Sequence, residues 1–171
     1  MFTLRFMRTV LAVATLMTGP AAAQAAAGAQ LAFGNAGYDS SLPIEITADT
    51  LTVDQQDGTA IFEGNVLIGQ GDLRLTAALV RVEYGTEANG NSSEISRLLA
   101  SGGVTLVNGS ETAEAARAEY SLASGMITLT GSVLVTQGRS ALSSESMTID
   151  LDTGTGTMQG RVKTILQTGN N

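Results

Sequence analysis

The motif Gly-x-Val recurs four times in this chain, each time leading into an alternating apolar strand. The copies are Gly64-Asn65-Val66, Gly102-Gly103-Val104, Gly131-Ser132-Val133 and Gly160-Arg161-Val162. Their glycines stand 38, 29 and 29 residues apart. A period of that size is the signature of a repeated supersecondary unit, and a repeat constrains a fold more than any single residue does. The unit extends beyond the corner. Gly58, Gly125 and Gly154 precede three of the corners by six residues, each at the end of a polar turn. Ahead of the turns, Ala48-Asp49-Thr50-Leu51-Thr52-Val53-Asp54 aligns with Ser144-Glu145-Ser146-Met147-Thr148-Ile149-Asp150. Strand, Gly turn, second strand and Gly-x-Val corner are used again and again.

Alternation of period two runs through nearly all of 44–166, which predicts half-buried strands. Ile44/Ile46, Leu51/Val53, Ala60/Phe62, Val66/Ile68, Leu73/Leu75 and Val80/Val82 each put apolar side chains on one face. Val104/Leu106, Ala118/Tyr120, Ile127/Leu129, Val133/Val135 and Met147/Ile149 repeat the pattern. Glu45/Thr47, Thr52/Asp54, Arg74/Thr76 and Thr128/Thr130 lie opposite, and Val and Thr suit a pleated surface. A helix is conceivable only near Glu111–Arg117, and its flanking strands argue against it. The stretch Gly85–Ser93, rich in Gly, Asn and Ser, reads as an exposed loop. About sixteen short strands in one domain give two stacked sheets, a closed barrel or a coil of repeating corners. The glycine rhythm favours the last, since glycine permits sharp bends. The interior is rich in Val, Ile, Leu and Ala, with Phe62 and Tyr120 as its expected aromatics and no Trp in the chain. Aromatics supply much of a core's buried area. Such an interior suits a slender apolar guest and a packed small-residue core equally well.

Residues 1–25 read as a cleaved export signal: Arg5 and Arg8, an apolar run from Thr9 to Met17, the break Gly19-Pro20, and the small-x-small site Ala23-Gln24-Ala25. The run is short for a membrane span, which needs roughly 20 residues. Removing 25 of the 171 residues leaves 146, with 16 acids against seven bases and a net charge of −9. That balance argues against nucleic acid, whose phosphates call for clustered Lys and Arg. Residues 26–42 read as a disordered lead-in, 43–167 as one β domain, and 168–171 as a disordered tail. With no Cys, disulfides, lipid attachment and thiolate metal sites are excluded.

Pro43-Ile44-Glu45-Ile46-Thr47-Ala48-Asp49, Phe62-Glu63-Gly64-Asn65-Val66, Gln70-Gly71 and Leu75-Thr76-Ala77 resemble the OstA-like repeat domain. Ala118-Glu119-Tyr120 and Ile127-Thr128-Leu129-Thr130-Gly131 resemble its second half. The resemblance spans roughly 43–166 in the family's order. One departure is Ala77-Ala78-Leu79-Val80, where the family has Ala-Asp before the Val, so a turn contact is expected to be missing there. The resemblance implies an all-β, bent β-jellyroll: a folded-over antiparallel sheet with an open apolar groove. It implies a periplasmic protein that shields the acyl chains of lipopolysaccharide between the inner and outer membranes. Copies would associate head to tail and join an anchored LptC-like partner of the inner membrane to an LptD-like barrel complex of the outer membrane. Physics supports the need. Each exposed CH₂ costs about 0.8 kcal/mol in water, so a multi-acyl lipid costs on the order of tens of kcal/mol.

The resemblance makes Ile44 and Ile46 the first-strand apolar pair near the groove mouth. Phe62, Val66, Leu75, Val82, Tyr120 and Leu129 are expected on the same inner lining, where ordinary core packing is the competing role for each. Arg74, Arg81, Arg117, Arg139, Arg161 and Lys163 could fork onto lipid phosphates, but their scatter fits a solvated outer face. Asp54-Gln55-Gln56-Asp57-Gly58 and Asp150-Leu151-Asp152-Thr153-Gly154 lack the spacing of a Ca²⁺ loop, and Asp before Gly is ordinary turn chemistry. No metal or other cofactor is expected. With no His, no Cys, no nucleophile elbow and no phosphate loop, an enzyme is not expected either. Within the same fold, an anchored inner-membrane protein would retain its N-terminal helix, and the periplasmic domain of a barrel protein would be followed by the barrel. The rival from another class is a structural β-solenoid that polymerises without a ligand.

Overall fold

A computed structural model describes residues 29–34, 38–39, 41–54, 56–86 and 92–165. The predicted export signal, its cleavage site and the tail 168–171 lie outside the described residues. Eleven strands form: β1 (Ala29–Ala32), β2 (Glu45–Thr47), β3 (Thr50–Asp54), β4 (Thr59–Gln70), β5 (Leu73–Thr86), β6 (Ser92–Asn108), β7 (Glu111–Ser121), β8 (Met126–Gln137), β9 (Ser140–Asp150), β10 (Thr155–Gln159) and β11 (Lys163–Ile165). All belong to one open antiparallel sheet in the order β1-β10-β9-β8-β7-β6-β5-β4-β2, with β3 also on β4 and β11 also on β9. The strands are fewer and longer than the about sixteen expected from the alternation. The reason is that the corners at Gly64, Gly102 and Gly131 bend a strand without ending it. Residues 111–117 lie within β7, and the segment read as a loop from Gly85 is shorter, because β5 and β6 pair out to Thr86 and Ser92.

The first three corners are β-bulges, and the fourth, Gly160-Arg161, separates β10 from β11 along β9. On β4, Gly64 and Asn65 lie between Glu63 and Val66, while β5 has only Ala78 between the matching Leu79 and Ala77. The ladder slips in the same way at Gly102-Gly103 of β6 and Gly131-Ser132 of β8. Both residues of every corner are left-handed: Gly64 and Asn65 at φ +79° and +46°, Gly102 and Gly103 at +84° and +88°, Gly131 and Ser132 at +84° and +59°, Gly160 and Arg161 at +78° and +40°. An extra residue in such a conformation bends the strand and increases its twist. With the corners on alternate strands and one residue of the next strand facing each, the bends form a single crease across the sheet. At its two ends the same bond recurs: the Asp49 N–H donates to Gly64 C=O and the Glu145 N–H to Gly160 C=O, each at 3.0 Å. Asp49 and Glu145 are the residues that the internal repeat aligns.

The crease divides the sheet into two arms that close on each other like a folded card. One arm carries β1, β10, β3 and the matching parts of β4–β9; the other carries β2, β11 and the remaining parts. In antiparallel pairs, residues directly opposite share a face. Val53, Ala60, Val82, Leu98, Tyr120, Ile127, Ile149, Gly156 and Leu31 therefore make one continuous inner row across nine strands. A parallel row runs from Leu51 and Phe62 to Met158 and Ala29. Facing them on the second arm is a row from Ile46 and Ile68 through Leu106 to Leu142. Side chains of both arms form one core.

Two expectations need correction. Residues 26–42 were expected to be a structureless lead-in, yet β1 pairs with β10, Phe33 is fully buried and the Tyr38 hydroxyl is hydrogen-bonded inside. The segment carries no period because it joins one edge of the sheet to the other. The interior aromatics are likewise not Phe62 and Tyr120 alone: Phe33 is buried outright, and Tyr38 and Tyr84 pack against the core.

Candidate functional site

The inner rows are dry over most of their length and reach solvent at one end. Val80, Leu106, Ile127, Leu129, Val135, Ile149 and Met158 are within 1% of complete burial. At the β2–β3 edge, Leu51 and Val53 keep 53% and 59% of their surface exposed although they continue the inner rows. Among the described residues no strand lies beyond β3 to cover them. Ile44, Ile46 and Phe62 are half-buried beside this rim. Val66, Leu75, Val82, Tyr120 and Leu129, the remaining residues of the predicted lining, are buried between the arms. All eight thus lie on inner faces, three at the open end and five in packed interior.

Along the mouth, opposite the crease, lies a cleft of about 520 Å³ lined by Leu42, Ile44, Gln70, Gly85, Glu94, Ile95, Ser96, Leu122 and Ala123. Beneath it a cavity of about 10 Å³ is walled by Ile68, Leu73, Leu98, Ile127 and their neighbours. That is the limit for a single water. Gln70 borders both spaces. Its Oε1 accepts from Tyr120 Oη at 3.2 Å and from Tyr38 Oη, its Nε2 donates to Leu42 C=O at 2.9 Å, and the two tyrosine oxygens are 2.7 Å apart. Burial, then the Tyr120 contact, pushes the Tyr38 phenol far above its usual range, and burial raises Tyr120 as well. Both remain neutral donors at physiological pH.

The outer face is charged and carries several ion pairs. Arg97 meets Glu83 at 2.9 Å and Glu119 at 3.1 Å, Arg81 meets Glu83 at 3.7 Å, and Arg161 meets Glu145 at 3.3 Å. Arg74 donates to the carbonyls of Gly71 and Leu73. The Asp-rich turns are turn chemistry: Asp54 Oδ1 accepts from the Gln56 and Asp57 N–H groups, and Asp150 Oδ1 from that of Thr153. Ala78 sits against Gly102 and contributes no side-chain hydrogen bond, whereas Asp49 accepts from Asn65 Nδ2 at 2.8 Å. Leu51, Val53, Gln70, Tyr38, Ile95 and Leu122 were not singled out as lining residues. The alternation already put Leu51 and Val53 on an apolar face. The others depend on which strand ends meet across the mouth, which periodicity does not report.

The architecture defines a class: a single antiparallel sheet creased into two arms whose facing sides are apolar along their whole width. A family model described as LptA/(LptD N-terminal domain) LPS transport protein matches residues 45–155. The chain belongs to this family, which is one of transport proteins. An uncharacterised protein of Rhizobium meliloti (strain 1021) is 31% identical over 117 residues, covering 66% of this chain. The chain spans 62% of that relative's length. Among solved structures, LptH of Pseudomonas aeruginosa, described as the LptA-homologous periplasmic component of the lipopolysaccharide transport device, matches with a TM-score of 0.64 at 18% identity. The match covers 76% of this chain and 99% of that one. It establishes the LptA-like fold.

Proposed function

We propose that the protein is a periplasmic bridge for lipopolysaccharide, holding the lipid's acyl chains between its two arms on the way from inner to outer membrane. The observation that carries this is the set of apolar inner rows, unbroken across the sheet and bared at the β2–β3 edge. An acyl chain entering there meets Leu51, Val53, Phe62, Ile44 and Ile46 first. The buried residues Val66, Leu75, Val82, Tyr120 and Leu129 line the path once the arms part. Each methylene moved off water is worth about 0.8 kcal/mol.

Head-to-tail association accords with the edges, which are unpaired among the described residues. The β2–β3 edge is exposed and acidic through Glu45, Asp49 and Asp54, while β11 at the far edge is exposed and carries Lys163 beside Arg161. Strand addition between unlike edges extends the sheet without closing it. The same mode serves an LptC-like partner anchored in the inner membrane at one end and an LptD-like barrel complex at the other. The second reading, a ligand-free structural element, is favoured by the collapsed 10 Å³ cavity between the arms.

Photocrosslinking in cells separates the two. A photoreactive residue at Ile46 or Leu51 is expected to capture lipopolysaccharide, and one at the outward-facing Glu45 is not. Absence of adducts at Ile46, Leu51 and Phe62 in exported, folded protein would favour the structural element.

A further inference from the structure

Between the 520 Å³ cleft and the collapsed cavity stands a small polar cluster in apolar surroundings. Gln70 comes from the end of β4 on one arm and Tyr120 from β7 on the other; Tyr38, on the segment between β1 and β2, touches both. Hydrocarbon at these positions would fill the space without needing partners, and a buried polar group is tolerated only when its hydrogen bonds are made. What hydrogen bonds add is direction: they hold two surfaces at one separation, whereas apolar contacts slide.

We propose that Tyr38, Gln70 and Tyr120 form a latch that ties the arms together across the mouth, and that an acyl chain must part it to pass from the cleft into the interior. This rests on the lipid reading above and assigns the gate of that same site. The latch stays closed in the lipid-free protein because Gln70 Oε1 serves both phenols at once. It opens when apolar surface inserted beneath it replaces the packing that the arms give each other.

The chain has no cysteine, so paired spin labels can be placed cleanly at Asp72→Cys and Ser124→Cys, exposed turn positions at the tips of opposite arms. Their separation is measured in the otherwise natural protein, in Tyr38→Phe, and in the triple variant Tyr38→Phe/Gln70→Leu/Tyr120→Phe, which replaces the polar groups of all three side chains by hydrocarbon. Uptake of cis-parinaric acid, a fluorescent fatty acid, is followed in parallel. The natural protein should give one narrow distance that lengthens on uptake. The variants should give broader, longer distances and faster uptake, about fivefold for loss of one hydrogen bond and more for the triple. Identical distances, or equal uptake rates in all three proteins, would overturn the latch. If no protein takes up the fatty acid, the lipid reading fails and the gate with it, while the distances still tell whether the cluster holds the arms.

Discussion

At Gly131 a Cβ would fall 2.7 Å from Ala116 Cβ, on a backbone already at φ +84°. Gly103 has φ +88° but nothing within 4 Å of the same added atom. The pair separates two costs of a side chain in the crease. Left-handed strain alone is worth about 1–3 kcal/mol. Gly103→Ala should lose an amount in that range, and Gly131→Ala measurably more, read as thermal midpoints by calorimetry. Equal losses would mean that the neighbouring strand yields and the crease is set by backbone conformation alone. The glycines were legible in the sequence because the conformation selects the residue type. Their partners Ala78 and Ala116 were not, since they are supplied by adjacent strands through the register and have no chemistry to betray them.

Strand β3 shows what alternation can and cannot convey. Thr50–Asp54 reads correctly as a strand whose Leu51 and Val53 share the face of Phe62 and Ala60. The alternation is silent on burial, which depends on whether another strand follows, so two residues with core-like spacing end more than half exposed. Bare edges of this kind invite pairing unless a charge blocks it. Under the head-to-tail reading, Val53→Glu should weaken self-association seen by sedimentation, with the melting temperature nearly unchanged because the side chain is already wet. Persistence of the assemblies would move the joint elsewhere. Residues 29–42 show the opposite case. Phe33 and Tyr38 sit in a connection, where no periodicity announces which side chains turn inward.

Across the whole molecule the two arms meet at their tips as well as along the core. Burial disfavours the charged form of Glu111. Hydrogen bonds from Gln137 Nε2, the Ser110 hydroxyl, and the N–H groups of Gly34 and of Glu111 itself outweigh that, leaving its pKa below the ordinary 4.5. A folded-state value below the unfolded one adds stability that is present above pH 4.5 and lost as the pH falls through the folded value. Melting temperatures between pH 6 and pH 3 should therefore fall less steeply in Glu111→Gln than in the natural protein. Parallel curves would show that the hydrogen bonds to this carboxylate add nothing to the folded form.

The crease repeats on alternate strands, and this makes length and cross-section independent of each other. Adjacent strands are about 4.8 Å apart, so each added hairpin with one Gly-x-Val corner lengthens the body by roughly 10 Å and leaves its profile unaltered. A gene duplication of one such unit would produce a longer gutter of the same bore. The molecule is in this sense cut from continuous stock, and its length is a matter of how many hairpins are laid side by side.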